Sequence, residues 1–146
     1  MTRTALDRRA SLLTGALLGV GLMASLDTVV FHLLLGWHHL VDGTTRVQQV
    51  SDGVLHVAYL ALLVAGGLRY GAQQRRGDLD GRRAVGGLLL GAGGFQLFDG
   101  LVNHELLDLH AVRPAAPDQL PYDVAWNAVG VLLLLAGWLV LRRSGR

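Results

Sequence analysis

A chain of 146 residues that is 51% hydrophobic and only 16% charged has room for one domain and the composition of a bilayer-embedded one. The absence of cysteine excludes disulfides, thiolate metal sites and thiol catalysis. A net charge of +2 does not point to nucleic acid, because the arginines flank apolar blocks instead of forming one patch.

Four apolar blocks, residues 12–35, 54–68, 84–107 and 124–141, each approach spanning length. The second and fourth are short, which flanking residues or local bilayer thinning accommodates. The first block follows Arg3, Arg8 and Arg9. It is longer than a signal-peptide core and no small-residue cleavage site precedes the next polar segment, so it reads as a retained helix. The fold expected is an all-α bundle of four transmembrane helices, a single transmembrane domain over residues 1–146.

All 13 basic residues are arginine. Three precede the first block, five (Arg69, Arg75, Arg76, Arg82, Arg83) lie between the second and third, and Arg142, Arg143 and Arg146 follow the fourth. Only Arg46 and Arg113 occupy the remaining loops. The positive-inside rule therefore puts both termini and the middle loop in the cytoplasm of a multi-pass protein of the bacterial inner (plasma) membrane.

The chain also aligns with itself. An offset of 72 residues superposes Gly15, Leu17, Leu18, Gly19 and Gly21 on Gly87, Leu89, Leu90, Gly91 and Gly93, then Asp27 on Asp99, His32 on His104 and His38 on His110. After a one-residue slip, Asp52 meets Asp123 and His56 meets Asn127. Aligned Asp and His are informative because such residues are rare in membrane helices. Two parallel two-helix repeats, residues 12–68 and 84–141, follow, related by a pseudo-twofold axis along the membrane normal. Gly15-x3-Gly19 and Gly87-x3-Gly91 favour close contact between the first and third helices at that axis.

The polar residues collect at the outer ends of the helices: Asp27, His32, His38 and His39; Asp52 and His56; Asp99, His104 and His110; Asp123 and Asn127. Asp52 and His56, four apart, share a helical face, as do Asp123 and Asn127. Asp27 and His32 are five apart and share a face only if the helix is distorted, for example by a π-bulge. Imidazoles beside carboxylates suit a transition metal: copper(II), zinc or iron, with sulfur-rich copper(I) sites disfavoured. The preferred ligands are His32, His56 and His104. Asp27, Asp52, Asp99, His38 and His110 are further ligand candidates, and Asp123 and Asn127 are placed behind them as orienting groups. The competing explanation is an interfacial one, with His38, His39 and His110 reached by water and headgroups. His39 has no counterpart, its match being Ala111. Trp126 is a candidate wall of the site, while Trp37, Tyr122, Tyr70 and Trp138 read as an aromatic belt.

The Asp99-Gly100, His104, His110 stretch, its match Asp27, His32, Trp37-His38-His39, the Asp52-Gly53, His56 opening of the second helix and the Asp123, Asn127 pair together resemble a family of small bacterial membrane proteins catalogued only as a domain of unknown function. The first half departs from it in having Thr28 where Gly100 stands in the second. The resemblance covers essentially the whole chain and implies a four-helix membrane protein; it tilts the metal towards copper and the setting towards respiratory oxidases.

The reading is thus a membrane-embedded metal-binding protein with an outward-facing His/Asp site and copper favoured. An open coordination position leaves oxidoreductase or hydrolase chemistry available. The alternatives are a b-type haem or quinone redox protein and a proton or ion channel or transporter. Against the last, the cytoplasmic halves of the helices read as wholly apolar. Partners are the lipid bilayer and not nucleic acid, with a homo-oligomer and a respiratory or copper-handling membrane protein as further candidates. Because the chain has no cysteine, single cysteines at Thr44, Ala116 and Ser144 test the orientation. An impermeant thiol reagent applied to intact cells is expected to label the first two only, and labelling at 144 would invert the topology.

Overall fold

The computed structural model describes residues 6–143; Arg3, Ser144 and Arg146 lie outside them. Four helices carry the chain: α1 (Arg8–Asp27), α2 (Thr45–Arg76), α3 (Gly81–Phe98) and α4 (Leu120–Arg142). α1 runs on into a π-helical segment, Thr28–Leu34, and α3 into another, Asp99–Leu106. With these extensions all four elements are long and apolar enough to cross a membrane. α2 is much longer than its apolar block, because Thr44 caps it, its side chain accepting from the Val47 N–H, and Gly77 ends it at φ 73°. Asp7 and Asp80 cap α1 and α3, each through its carboxylate, at 2.9 Å from the Ala10 N–H and 3.0 Å from the Arg83 N–H.

The packing is that of a protein solvated by hydrocarbon. Leu33, Leu34, Val57 and Leu68 lie exposed, whereas the buried positions are filled by small and polar residues such as Ala24, Ala84, Ala92, Ser11, Thr14 and the Asp/His set. Lipid tails are as apolar as leucine, so large side chains gain nothing by turning inward, and the helices associate through close backbone approach and hydrogen bonds.

α1 packs most extensively on α3, and α2 and α4 flank this pair. The contact is backbone against backbone. A methyl group at Gly15 would run into the Ala84 carbonyl, and one at Gly19 into that of Leu88; reciprocally, one at Gly87 would strike Leu12 and one at Gly91 would strike Ala16. The flanking helices obey the same spacing: Gly21 faces Tyr59 and Leu63, Gly93 faces Gly130 and Leu134, Gly66 faces Leu18, and Gly137 faces Leu90. Both π segments end alike, with N–H groups reaching back five residues from Leu35 and Leu107 and six from Trp37 and Leu109. The backbone then turns through positive φ at Gly36 (56°) and, 72 residues on, at Asp108 (48°). Asp is among the few non-glycine residues that adopt this conformation readily.

The helix ends opposite the His/Asp cluster, which the sequence reading places on the cytoplasmic side, are not wholly apolar, and this corrects the expectation from sequence. Ser11 donates to the Asp7 carbonyl at 2.7 Å and accepts from the Asp80 N–H at 2.9 Å, Gln73 is buried against it, and Arg69 reaches Thr14 at 3.4 Å. Short polar side chains tie the helix starts to the α2–α3 turn, a role that leaves no mark in hydropathy.

The glycine seam yields a direct test. Leucine at Gly19 or Gly91 must displace backbone, so each is expected to destabilise the bundle by more than the roughly 1–3 kcal/mol of ordinary overpacking. Gly67→Leu is expected to be near neutral, since nothing lies within 4 Å of an added Cβ there. Neighbouring Gly66 would be a poor control because its Cβ would meet the Leu18 side chain at 2.8 Å. Thermal melts in detergent, followed by circular dichroism, measure the difference.

Candidate metal centre

In a regular α-helix, residues five apart point about 140° away from each other. The π-helical segments remove that obstacle, because their hydrogen bonds run from residue i to i+5 and bring these positions onto one face. Asp27 Oδ2 lies 3.3 Å from His32 Nε2, and Asp99 Oδ2 lies 3.2 Å from His104 Nε2. The distortion that would let Asp and His share a face therefore occurs in both places where the spacing needs it.

The loops that follow the two π-helical segments then fold across the bundle and complete the cluster from the opposite side. His38, on the loop after the first π segment, donates from Nδ1 to the Val112 carbonyl at 2.7 Å, and His110 donates from Nδ1 to the Leu40 carbonyl at 3.1 Å. Each loop thus holds the histidine of the other, and a further bond from the Asp42 N–H to the Leu109 carbonyl fastens the crossing. A carbonyl can only accept, so both rings carry their proton on Nδ1 and present the Nε2 lone pair to the interior. His32 is fixed in the same sense: its Nδ1 lies 2.9 Å from Asp52 Oδ1. Asp52 also accepts from His39 Nδ1 at 2.7 Å and from the Leu40 N–H at 2.8 Å.

Two of the lone pairs so directed, those of His38 and His32, meet a carboxylate. Asp27, 2% exposed, places Oδ1 3.3 Å from His38 Nε2 and Oδ2 3.3 Å from His32 Nε2. In the second half the arrangement changes. Asn103 stands where the first half has Phe31, and its amide donates to Asp99 Oδ1 at 2.8 Å. The ring nitrogens of His104 and His110 consequently face each other directly at 2.9 Å, and His104 Nδ1 is buried without a hydrogen-bond partner. Phe31 stacks on His38 instead, with ring centroids 5.9 Å apart. Trp126 packs against both His38 and His104, at 5.8 and 5.5 Å.

Among the described residues, three trios bring one ligand atom each within 4.8 Å of one another: His38, His104 and His110; Asp27, His32 and His38; and His32, His39 and Asp52. The first two are buried throughout and the third is partly open. His110 lies in the loop between the second π segment and α4. Burial pushes its imidazole down to about 4, with the charges of His38 and His104 adding to this and Asp99 opposing it. It is therefore neutral, and a competent ligand, at physiological pH.

His32, His104, Asp27, Asp99, His38 and His110 converge, and Asp52 holds His32 from behind. His56 does not join them: it is exposed on α2, and its Nδ1 lies 2.6 Å from the Tyr59 hydroxyl. The place expected for His56 is taken by His38, because π-helix and loop fold back together while α2 runs as one unbroken α-helix that leaves His56 exposed. Asp123 makes no hydrogen bond to the cluster, and Asn127 donates to Glu105 at 3.4 Å, away from the histidines. His39, without a counterpart in the second half, is tied to Asp52. Sequence reasoning missed Asn103, whose signal was an Asn four residues after Asp99, and it had no means of finding the carbonyls of Leu40 and Val112. Trp37 and Tyr122 do lie at this end, where Arg113 donates to the Tyr122 hydroxyl at 2.6 Å and sits 5.1 Å from the Trp37 ring.

Residues 14–144 match the family described as "Predicted membrane protein (DUF2243)", and the chain belongs to that family. No curated protein and no solved structure shows significant similarity to it.

The state of His110 can be read by NMR of histidine-labelled, metal-free protein in micelles. Its ring signals are expected to stay flat from pH 8 to 5 and to move near pH 4. The unfolded chain takes up this proton near pH 6.5. Between the two values it binds more protons than the folded chain, so the His110 contribution to stability falls as pH drops through that window. A normal titration near 6.5 would show that the loop crossing is open in solution.

Proposed function

We propose that this membrane protein binds a transition-metal ion at His38, between His104 and His110 on one side and His32 and Asp27 on the other. In this reading the two helix pairs are parallel repeats about a pseudo-twofold axis, both termini are cytoplasmic and the site faces the outer side of a plasma membrane. The observation that carries the proposal is the Asp27 carboxylate set 3.3 Å from two Nε2 atoms whose rings spend their Nδ1 protons elsewhere. Lone pairs facing a buried carboxylate repel one another unless a cation lies among them, and burying that charge uncompensated in a membrane is costly. Carboxylate or carbonyl acceptors behind three of the rings are also the usual means of orienting metal-binding imidazoles.

His38 belongs to both buried trios, and with its Nδ1 proton held by the Val112 carbonyl it has one lone pair to give, so we read the two trios as one mononuclear centre. Nitrogen-rich donors without sulfur favour copper(II) by the order of divalent-ion affinities, ahead of zinc and iron. With copper the centre is redox-active, which suits a role beside a respiratory oxidase. Haem fits less well, because His38 and His110 stack with centroids 4.7 Å apart and leave no slot for a macrocycle. A conducting pore fits less well too, since the backbone contact along Gly15, Gly19, Gly87 and Gly91 closes the seam between α1 and α3.

Elemental analysis of protein purified without a histidine tag tests the reading. One ion per chain is expected for the wild type and a sharp loss for His38→Ala, His104→Ala or His110→Ala, with non-additive effects in combination. Asp52→Asn is expected to weaken binding at equilibrium by about 10- to 100-fold, because in the loaded centre its carboxylate orients His32 from behind. Stoichiometric metal in a folded His38, His104, His110 triple variant would reject the site.

A further inference from the structure

One trio, His32, His39 and Asp52, remains outside the buried centre although it shares His32 with it. It borders a cavity of about 410 Å³ lined by Thr28, His39, Gln48, Gln49, Asp52 and His56 among others. At roughly 30 Å³ of liquid per water, that space holds on the order of a dozen waters, enough for an ion that keeps much of its hydration shell. The buried ligands have no such access: His38 is 1% and His110 2% exposed, and Phe31 and Trp126 lie against His38. The cavity on that side, about 350 Å³, is lined by Phe31, Trp37, Tyr122 and Trp126 and offers a cation mainly apolar walls.

Resting on the metal reading above, we propose that His39 and Asp52, with His56 at the rim, form an outer cation station through which metal is loaded into the buried centre. Asp52 supplies the negative charge that draws a cation into the cavity. Its two oxygens touch His39 at 2.7 Å and His32 at 2.9 Å, so the carboxylate spans the step between the half-exposed imidazole and the buried one. An ion at Asp52 displaces the His39 and His32 N–H groups bonded to that carboxylate, their protons leaving to solvent in the cavity, and then moves past the His32 ring to its Nε2 side. Exchanging its waters for protein ligands one at a time keeps the desolvation cost of each step small. The second half has no such station: Ala111 stands for His39 and Asn127 for His56. The route is therefore one-sided.

Gly53 allows the route to be blocked without touching a ligand. It lines the cavity, and nothing lies within 4 Å of an added Cβ there. The experiment mixes copper(II) with the full chain in detergent micelles in a stopped-flow instrument, reads quenching of Trp126 beside the centre, and measures final copper by elemental analysis. Gly53→Phe, and separately the double variant His39→Gln with His56→Ala, are expected to slow loading and chelator-driven release by about tenfold while final copper per chain stays at the wild-type value. Wild-type rates in both variants would overturn the loading route and leave the buried site standing. Loss of final copper in the double variant would make His39 or His56 a ligand of the centre and also overturn the route. A wild-type chain that takes up no copper would remove both readings.

Discussion

Asp27 and Asp99 are carboxylates at 2% exposure inside a bundle whose outer surface is leucine and valine, and most of the unusual features of this protein serve to surround them. A lone charge in such a place is expensive, and water is not at hand to relieve it. The chain answers with imidazoles set five residues downstream, and a regular helix cannot deliver them. Two π-helical segments are the consequence, each ending in the same pair of long backbone bonds and the same positive-φ turn. Glycine meets that turn in one half, and aspartate, which tolerates it, in the other.

The glycine seam serves the same end. Backbone contact between α1 and α3 brings the two π segments side by side, so that His32, His38, His104 and His110 lie within a few ångströms of one another. Bulkier residues in the seam would hold the segments apart and leave each carboxylate with its local histidine alone. The loops then lock the rings by exchange: the carbonyl that orients His38 comes from Val112, and the one that orients His110 comes from Leu40. Such a reciprocal grip is specific because neither ring can be oriented until both loops are in place.

Near-symmetry makes the differences between halves meaningful. Asn103 in place of Phe31 draws Asp99 away from His110, and Asp52 supports His32 where Asp123 supports nothing in the cluster. The first half consequently offers a carboxylate-bridged, partly open side and the second a closed imidazole pair. On the metal reading proposed above, an asymmetric centre of this kind has separate faces for approach and for retention, which two identical halves would not provide.

Composition and apolar block length determined the four helices, because the bilayer requires long uncharged spans whatever their partners. The 72-residue register pointed to matching Asp and His in the two halves of the sequence, since such residues are rare in membrane helices. Even the need for a distorted helix was legible in the five-residue gap from Asp27 to His32. The tertiary structure alone decided the membership of the cluster. His56 looked as suitable as His38 on residue type, but α2 is one unbroken α-helix that leaves it exposed, while the turn at Gly36 sends His38 back over the bundle. The carbonyls of Leu40 and Val112 were beyond any reading of side chains, because a backbone group becomes part of a site only when another segment is brought to it.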